Sequence, residues 1–189
     1  LAKSLNCLNR QEKASEPCNE CDSCREIMAG RALDLIEIDA ASNTGVDNVR
    51  ENIIEGSRFT PYSRQYKIYI IDEVHMLSTP AFNALLKTLE EPPAHVVFIL
   101  ATTEVHKLPA TIISRCQRFD FKKVSANELT GRLKRITKEE KKEVEEKTLQ
   151  SIARLSEGCL RDAESLLGQV LSLGDKKITA EQAELVIPR

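Results

Sequence analysis

Two adjacent carboxylates, Asp72 and Glu73, follow directly on a short apolar run, Ile68-Tyr69-Ile70-Ile71. A run of β-branched and aromatic residues without a polar break suits a strand buried on both faces, as in a parallel sheet covered by helices. Ligand sites in such sheets lie at the carboxyl ends of the strands, so two acids there suggest a site for a metal ion and a nucleotide. The plainer alternative is a buried strand that meets solvent at two ordinary charges. A second apolar run, Val96 to Ala101, ends at Thr102, Thr103 and Glu104, which places hydroxyls and a carboxylate at the same kind of edge.

A different chemistry is written near the start of the chain. Cys7, Cys18, Cys21 and Cys24 follow the spacing C-x10-C-x2-C-x2-C. Tight C-x2-C turns can aim two thiolates at one ion, and four sulfurs satisfy the tetrahedral coordination of a structural zinc. A closed four-sulfur site leaves no open position, which makes such a zinc structural and not catalytic. Free or paired thiols and an iron–sulfur cluster are the alternatives. The spacing matches neither ferredoxin pattern, and no secretory signal supports a disulfide framework.

The elements that must position these residues can be read in order. Leu1, Leu5 and Leu8 share a helical face before a polar loop over 9–17. Arg25 to Ala29 continue as a helix stopped at Gly30, and Leu33 to Asp39 form a strand candidate. Thr44-Gly45-Val46-Asp47 fits a capping box opening a helix through about Ser57, whose amides could hold a phosphate or serve only as a capped helix start. Ala81, Phe82, Leu85, Leu86 and Leu89 make one apolar stripe on a helix from Thr79, ended by Pro92 and Pro93. Arg118 to Phe121 reads as a further short strand. Beyond Lys122 the composition changes: 126–136, 148–157, 159–173 and 179–186 read as helices with no strand among them. The charged run 134–147 reads as a solvated helix or connection. The expected architecture is therefore α/β over 1–122 followed by a small all-helical part over 123–189.

At 189 residues and 41% hydrophobic, the chain can bury one core or one plus a small second one. A formal net charge of -2 gives no general signal for nucleic acid or membrane. No apolar segment approaches the roughly 20 residues of a membrane helix. The chain opens at Leu1 in what reads as mid-helix and stops at Ile187-Pro188-Arg189, which suggests a fragment.

Taken together these residues resemble a known family. Ile-Tyr-Ile-Ile-Asp72-Glu73-Val-His-Met-Leu-Ser resembles the Walker B segment of AAA+ ATPases in the form used by bacterial clamp loaders. Asn83-Ala-Leu-Leu-Lys-Thr-Leu-Glu-Glu-Pro-Pro follows it as in that family. Ala101-Thr102-Thr103 is similar to a sensor 1 strand end, Ser114-Arg115-Cys116 to the clamp-loader SRC motif, and Gly158-Cys-Leu-Arg161-Asp162 to a sensor 2 helix. The early four-cysteine insert also belongs to the family. The resemblance covers essentially the whole chain and implies a parallel AAA+ sheet with a helical lid domain.

The resemblance further implies roles. Asp72 would hold Mg²⁺ on the phosphates of ATP, and Glu73 would orient and activate the attacking water. Thr103 would sense the γ-phosphate, and Arg161 would reach it from the lid. Arg115 would act in trans as an arginine finger on a neighbouring subunit's nucleotide. Structural zinc on Cys7, Cys18, Cys21 and Cys24 is implied as well. So is work in the cytoplasmic replisome of bacterial DNA polymerase III, with delta, delta-prime and further gamma/tau subunits, a sliding clamp and primer-template DNA as partners, and no membrane. DNA contact would go mainly to phosphates, and the loop 40–47 is a candidate surface. One departure stands out: the phosphate-binding loop G-x-x-x-x-G-K-[ST] is not in this sequence. These residues are therefore expected to bind ATP weakly or not at all, although the full protein should hydrolyse it. Two rival readings remain, a non-hydrolysing subunit of the delta-prime type and a zinc-stabilised interaction scaffold.

Overall fold

An unbroken apolar run suits a strand buried on both faces, and in the structure Ile68, Tyr69 and Ile71 are buried while Ile70 stays partly exposed. In the computed structural model, which describes residues 1–11, 14–174, 177–183 and 185–186, Lys67–Asp72 forms strand β2 at the centre of a three-stranded sheet. Its neighbours are β1 (Leu35–Asp39) and β3 (Val96–Leu100), both parallel to it. Ile68, Tyr69 and Ile71 are fully buried. The chain divides into two compact units, Leu1–Arg118 and Phe119–Arg189.

In the first unit, α1 (Ala2–Leu5) and α2 (Asp22–Met28) carry the cysteine segment. The connection from β1 to β2 contains α3 (Val46–Val49), which runs on as a π-helical stretch over Arg50–Glu55. α4 (Thr79–Glu90) connects β2 to β3. Ser78 caps α4 by accepting from the Ala81 amide at 3.3 Å. Ala81, Phe82 and Leu85 of its stripe enter a core with Val49, Ile53, Tyr69, Ile71 and Ile112. The rings of Tyr69 and Phe98, a cross-strand pair, stack with centroids 5.5 Å apart. A short helix, α5 (Ala110–Ile113), leads to Arg115.

The second unit holds α6 (Ala126–Glu139), α7 (Glu146–Leu155), α8 (Leu160–Leu171) and α9 (Ala180–Ala183). Leu129, Leu133, Leu149, Ile152, Leu167 and Val170 make its separate core. A capping box starts α6: Ser125 Oγ accepts from the Glu128 amide, and the Glu128 carboxylate accepts from the Ser125 amide.

Four expectations need correction. Residues 44–47 form no capping box: Gly45 is the N-cap without a side-chain bond, and the Thr44 carbonyl accepts from the Ser78 amide at 3.1 Å instead. Residues 118–121 are not a strand. Phe119 and Phe121 are exposed, so the apolar face that would seat such a strand on a sheet is not buried. The helical unit does contain strands, the two-residue pair β4 (Glu143–Val144) and β5 (Lys177–Ile178), with β4 inside the charged run. The first helix ends at Leu5, and Leu8 lies exposed in a turn beyond it. Residues 12–13 of the polar loop, Glu184 of the last expected helix, and the stop at Ile187–Arg189 lie outside the described residues.

One packing detail is directly testable. Tyr69 Oη is buried with no hydrogen-bond partner among the described residues, and burial pushes the phenol up to about 12. A Cβ on Gly56 would meet that oxygen at 2.7 Å. Tyr69→Phe should therefore leave stability unchanged or raise it by up to about 1 kcal/mol, since no bond is lost. Gly56→Ala should cost about 1–3 kcal/mol by overpacking, most of it recovered in the double variant. Additive effects in urea unfolding would contradict this packing.

Candidate functional site

The sheet delivers its chemistry where β2 stops. Asp72 is the last residue of β2, in register with Asp39 of β1, and its carbonyl accepts from the Ala40 amide at 3.0 Å. The Asp72 side chain is exposed at this carboxyl edge. Glu73 then takes a left-handed conformation, φ 46° and ψ 44°, uncommon for a residue with a Cβ. Its amide donates to Asp72 Oδ1 at 3.0 Å. Val74, fully buried, anchors the far side by donating to the Ala101 carbonyl at 2.9 Å, and a 3-10 turn over Val74–Met76 follows. The buried strand on one side and the buried valine on the other hold the strained residue between them.

The end of β3 completes the edge. Thr103 Oγ1 donates to Glu73 Oε2 at 3.2 Å, so three residues predicted from sequence, Asp72, Glu73 and Thr103, meet in one place. His75 and Glu104 stand beside them, and sequence reading gave neither a role. His75 Nδ1 lies 2.9 Å from Thr102 Oγ1 and 3.3 Å from Glu73 Oε2, while Nε2 lies 3.1 Å from Glu104 Oε2. The hydrogen bond from Lys107, at 2.7 Å, holds the Glu104 carboxyl below its ordinary range. Asp39 is also held low, by the Ser42 hydroxyl at 2.6 Å and the Ala41 amide at 2.8 Å. Asp39 and Asp72 at the ends of β1 and β2, and Glu73 and Glu104 just beyond β2 and β3, thus set carboxylates along this edge.

Arg115 has partners of its own. Arg115 follows α5, where its guanidinium bonds Glu90 through Nε at 3.0 Å and through Nη2, and donates from Nη1 to the Thr111 carbonyl at 2.6 Å. Glu90, at the end of α4, is a partner that the motif did not reveal. Arg161 belongs to the second unit, exposed in the first turn of α8. The turn before that helix requires glycine: Gly158 has φ 87°, and a Cβ there would meet Lys123 Cβ at 2.6 Å.

The four cysteines converge as their spacing suggested. All four sulfurs lie within 4.8 Å of one another, and Cys24 is buried. Zinc–sulfur bonds of about 2.3 Å in a tetrahedron put sulfurs about 3.8 Å apart, so the cluster fits such an ion. The Cys18 amide donates to Cys7 Sγ and the Cys21 amide to Cys18 Sγ, both at 3.3 Å. The first of these bonds lowers the Cys7 thiol, whereas burial raises Cys24. The segment is tied to the chain entering β2. Asn6 Nδ2 donates to the Tyr66 carbonyl at 2.8 Å and its Oδ1 accepts from the Tyr66 amide at 3.0 Å, while Arg64 pairs with Glu26 of α2.

Comparison with known proteins agrees with this architecture. A family model described as DNA polymerase III, delta subunit, matches residues 1–125, and one described as DNA polymerase III clamp loader subunit, ATPase lid domain, matches residues 128–176. The chain belongs to this family of DNA polymerase III clamp-loader subunits. Among curated relatives, DNA polymerase III subunit tau of Bacillus subtilis is 54% identical over 186 residues, covering 98% of this chain and 32% of the relative. Subunit gamma of Buchnera aphidicola from Acyrthosiphon pisum is 49% identical over 175 residues, 93% of this chain and 48% of the relative. The chain therefore spans less than half the length of either. A solved variant of Thermotoga maritima RuvB superposes with a TM-score of 0.66 at 17% identity, over 80% of this chain and 51% of that one, which shows the shared fold.

Proposed function

We propose that residues 1–122 are the nucleotide-binding part and 123–189 the lid of a gamma/tau-type clamp-loader ATPase. In the complete subunit, ATP binding and hydrolysis would be coupled to loading a sliding clamp on primer-template DNA. The observation that carries this reading is the junction of Asp72, strained Glu73 and Thr103 at the edge of a parallel sheet. A non-hydrolysing subunit of the delta-prime type would not need a water-orienting carboxylate held in this way.

Asp72, exposed and at the strand end, would hold Mg²⁺, which supplies charge neutralisation for phosphoryl transfer. Glu73 would orient the attacking water and take up its proton, with Oε2 engaged by Thr103 and Oε1 turned to the water. Thr103 would couple that carboxylate to the γ-phosphate. Arg115, parked on Glu90, would leave this pairing to stabilise charge on a neighbouring subunit's nucleotide, and Arg161 would add a phosphate contact from the lid. Partners would be delta, delta-prime and further gamma/tau subunits in the cytoplasmic replisome, with the loop 40–47 as a surface for DNA.

In the complete subunit assembled with its partners, Glu73→Gln should lower ATP hydrolysis by at least about 100-fold while leaving nucleotide affinity within a factor of a few. Undiminished hydrolysis would refute the assignment and favour the scaffold reading.

The cysteine cluster would hold one structural zinc, fixing the segment that Asn6 and Glu26 dock against the entry to β2. Protein purified without chelator should contain about one zinc per chain, and Cys24→Ser should lose both the metal and several degrees of melting temperature. A metal-free protein that melts unchanged would contradict this.

A further inference from the structure

We propose that His75 is a positioning residue for the Glu73 carboxylate, a strut between the acid at the end of β2 and the turn that ends β3. This rests on the ATPase reading and deepens it. The imidazole is nearly enclosed, its side chain only 7% exposed, in contrast to the partly exposed acids Glu73 and Glu104 around it. It emerges from the 3-10 turn that directly follows Glu73. Three oxygens surround the ring. Nδ1 faces Thr102 Oγ1 at 2.9 Å and Glu73 Oε2 at 3.3 Å, and Nε2 faces Glu104 Oε2 at 3.1 Å. Whichever nitrogen carries the proton, it points at an acceptor of this edge.

The acceptors are themselves fixed. Thr102 Oγ1 accepts from the Glu104 amide at 3.0 Å, and Glu104 is held by Lys107 at 2.7 Å. The ring is thus braced against a turn of β3, and through it Glu73 is braced as well. A carboxylate on a strained backbone has side-chain freedom that neither strand removes. Thr103 and His75 both approach the same oxygen, Oε2, from the β3 side and from the following turn. Together they determine that Oε1 is the oxygen presented to a reacting water. His75 contacts no reacting atom; it acts through Glu73, as a supporting shell acts on a catalytic group.

The test is made in the complete subunit assembled with its partner subunits, reading single-turnover ATP hydrolysis and nucleotide affinity separately. His75→Ala should lower the rate constant about tenfold with affinity unchanged, the effect of a misplaced general base. His75→Asn, which keeps a polar atom near the position of Nδ1, should recover most of the rate. In a Glu73→Gln background, His75→Ala should cause no further loss, because the residue through which it acts is already disabled. Should His75→Ala not fold, His75→Phe keeps the ring volume without the donors and should show the same kinetic loss. Three results would overturn the proposal: an unchanged rate in folded Ala or Phe variants, a loss of affinity parallel to the loss of rate, or an equal loss in the Glu73→Gln background. If Glu73→Gln alone leaves hydrolysis intact, the ATPase reading itself fails and this proposal with it. If Glu73→Gln is inactive while His75→Ala is fully active, only the role of His75 fails.

Discussion

Everything at the candidate site hangs on one constraint, the parallel pairing of β2 on both of its edges. A strand with neighbours on each side has its backbone groups committed and its length fixed, so the residue at which it stops is fixed too. Ladder partners run to Asp39–Asp72 on one side and Ile71–Leu100 on the other. Glu73 must then leave the sheet within one residue, because Val74 is claimed by the Ala101 carbonyl and by the core. The left-handed backbone of Glu73 is the result. Its strain is sustained by burial on either side and leaves the carboxylate at the edge beside Asp72 and Thr103.

The cysteine segment and the helical unit do different work. Asn6 pairs with both backbone groups of Tyr66 as another strand residue would, one residue before β2 begins. Glu26 holds Arg64 in the same entry loop, and buried Asp34 accepts the amides of Tyr62 and Ser63 at 2.6 and 2.9 Å. The N-terminal module therefore fixes how the chain enters the central strand, at the end opposite the acids. The second unit has its own core and its own capping box, and it carries Arg161 on α8.

Much of this was legible in the residues because an apolar run in a sheet leaves a strong mark. The runs at 68–71 and 96–101 became strands, the second ending at Leu100, the stripe of α4 became a helix face, and the spaced cysteines brought their sulfurs together. Signals that depend on a partner distant in sequence failed. Thr44 has the residue type of a cap, yet its carbonyl is used by Ser78 and the helix starts one residue later on Gly45. The alternation at 118–121 puts Phe119 and Phe121 on one face, yet both stay exposed. The pair β4–β5 spans two residues on each side, too few for any period to show. At the site itself, Asp72, Glu73 and Thr103 stood out as residues at strand ends. His75 and Glu90 did not, because their importance lies in contacts made across the fold.

On the proposed reading Asp72, Glu73 and Thr103 form the hydrolytic edge of an ATP site, and the motif G-x-x-x-x-G-K-[ST] does not occur in the 189 residues. Calorimetric titration of Mg²⁺ and ATP into the 189-residue chain and into a complete subunit measures this directly. No micromolar binding by the 189 residues and clear binding by a complete subunit are expected, since loop amides and a lysine supply the main cradle for phosphates in such sites. Micromolar affinity in the 189 residues alone would contradict this reading.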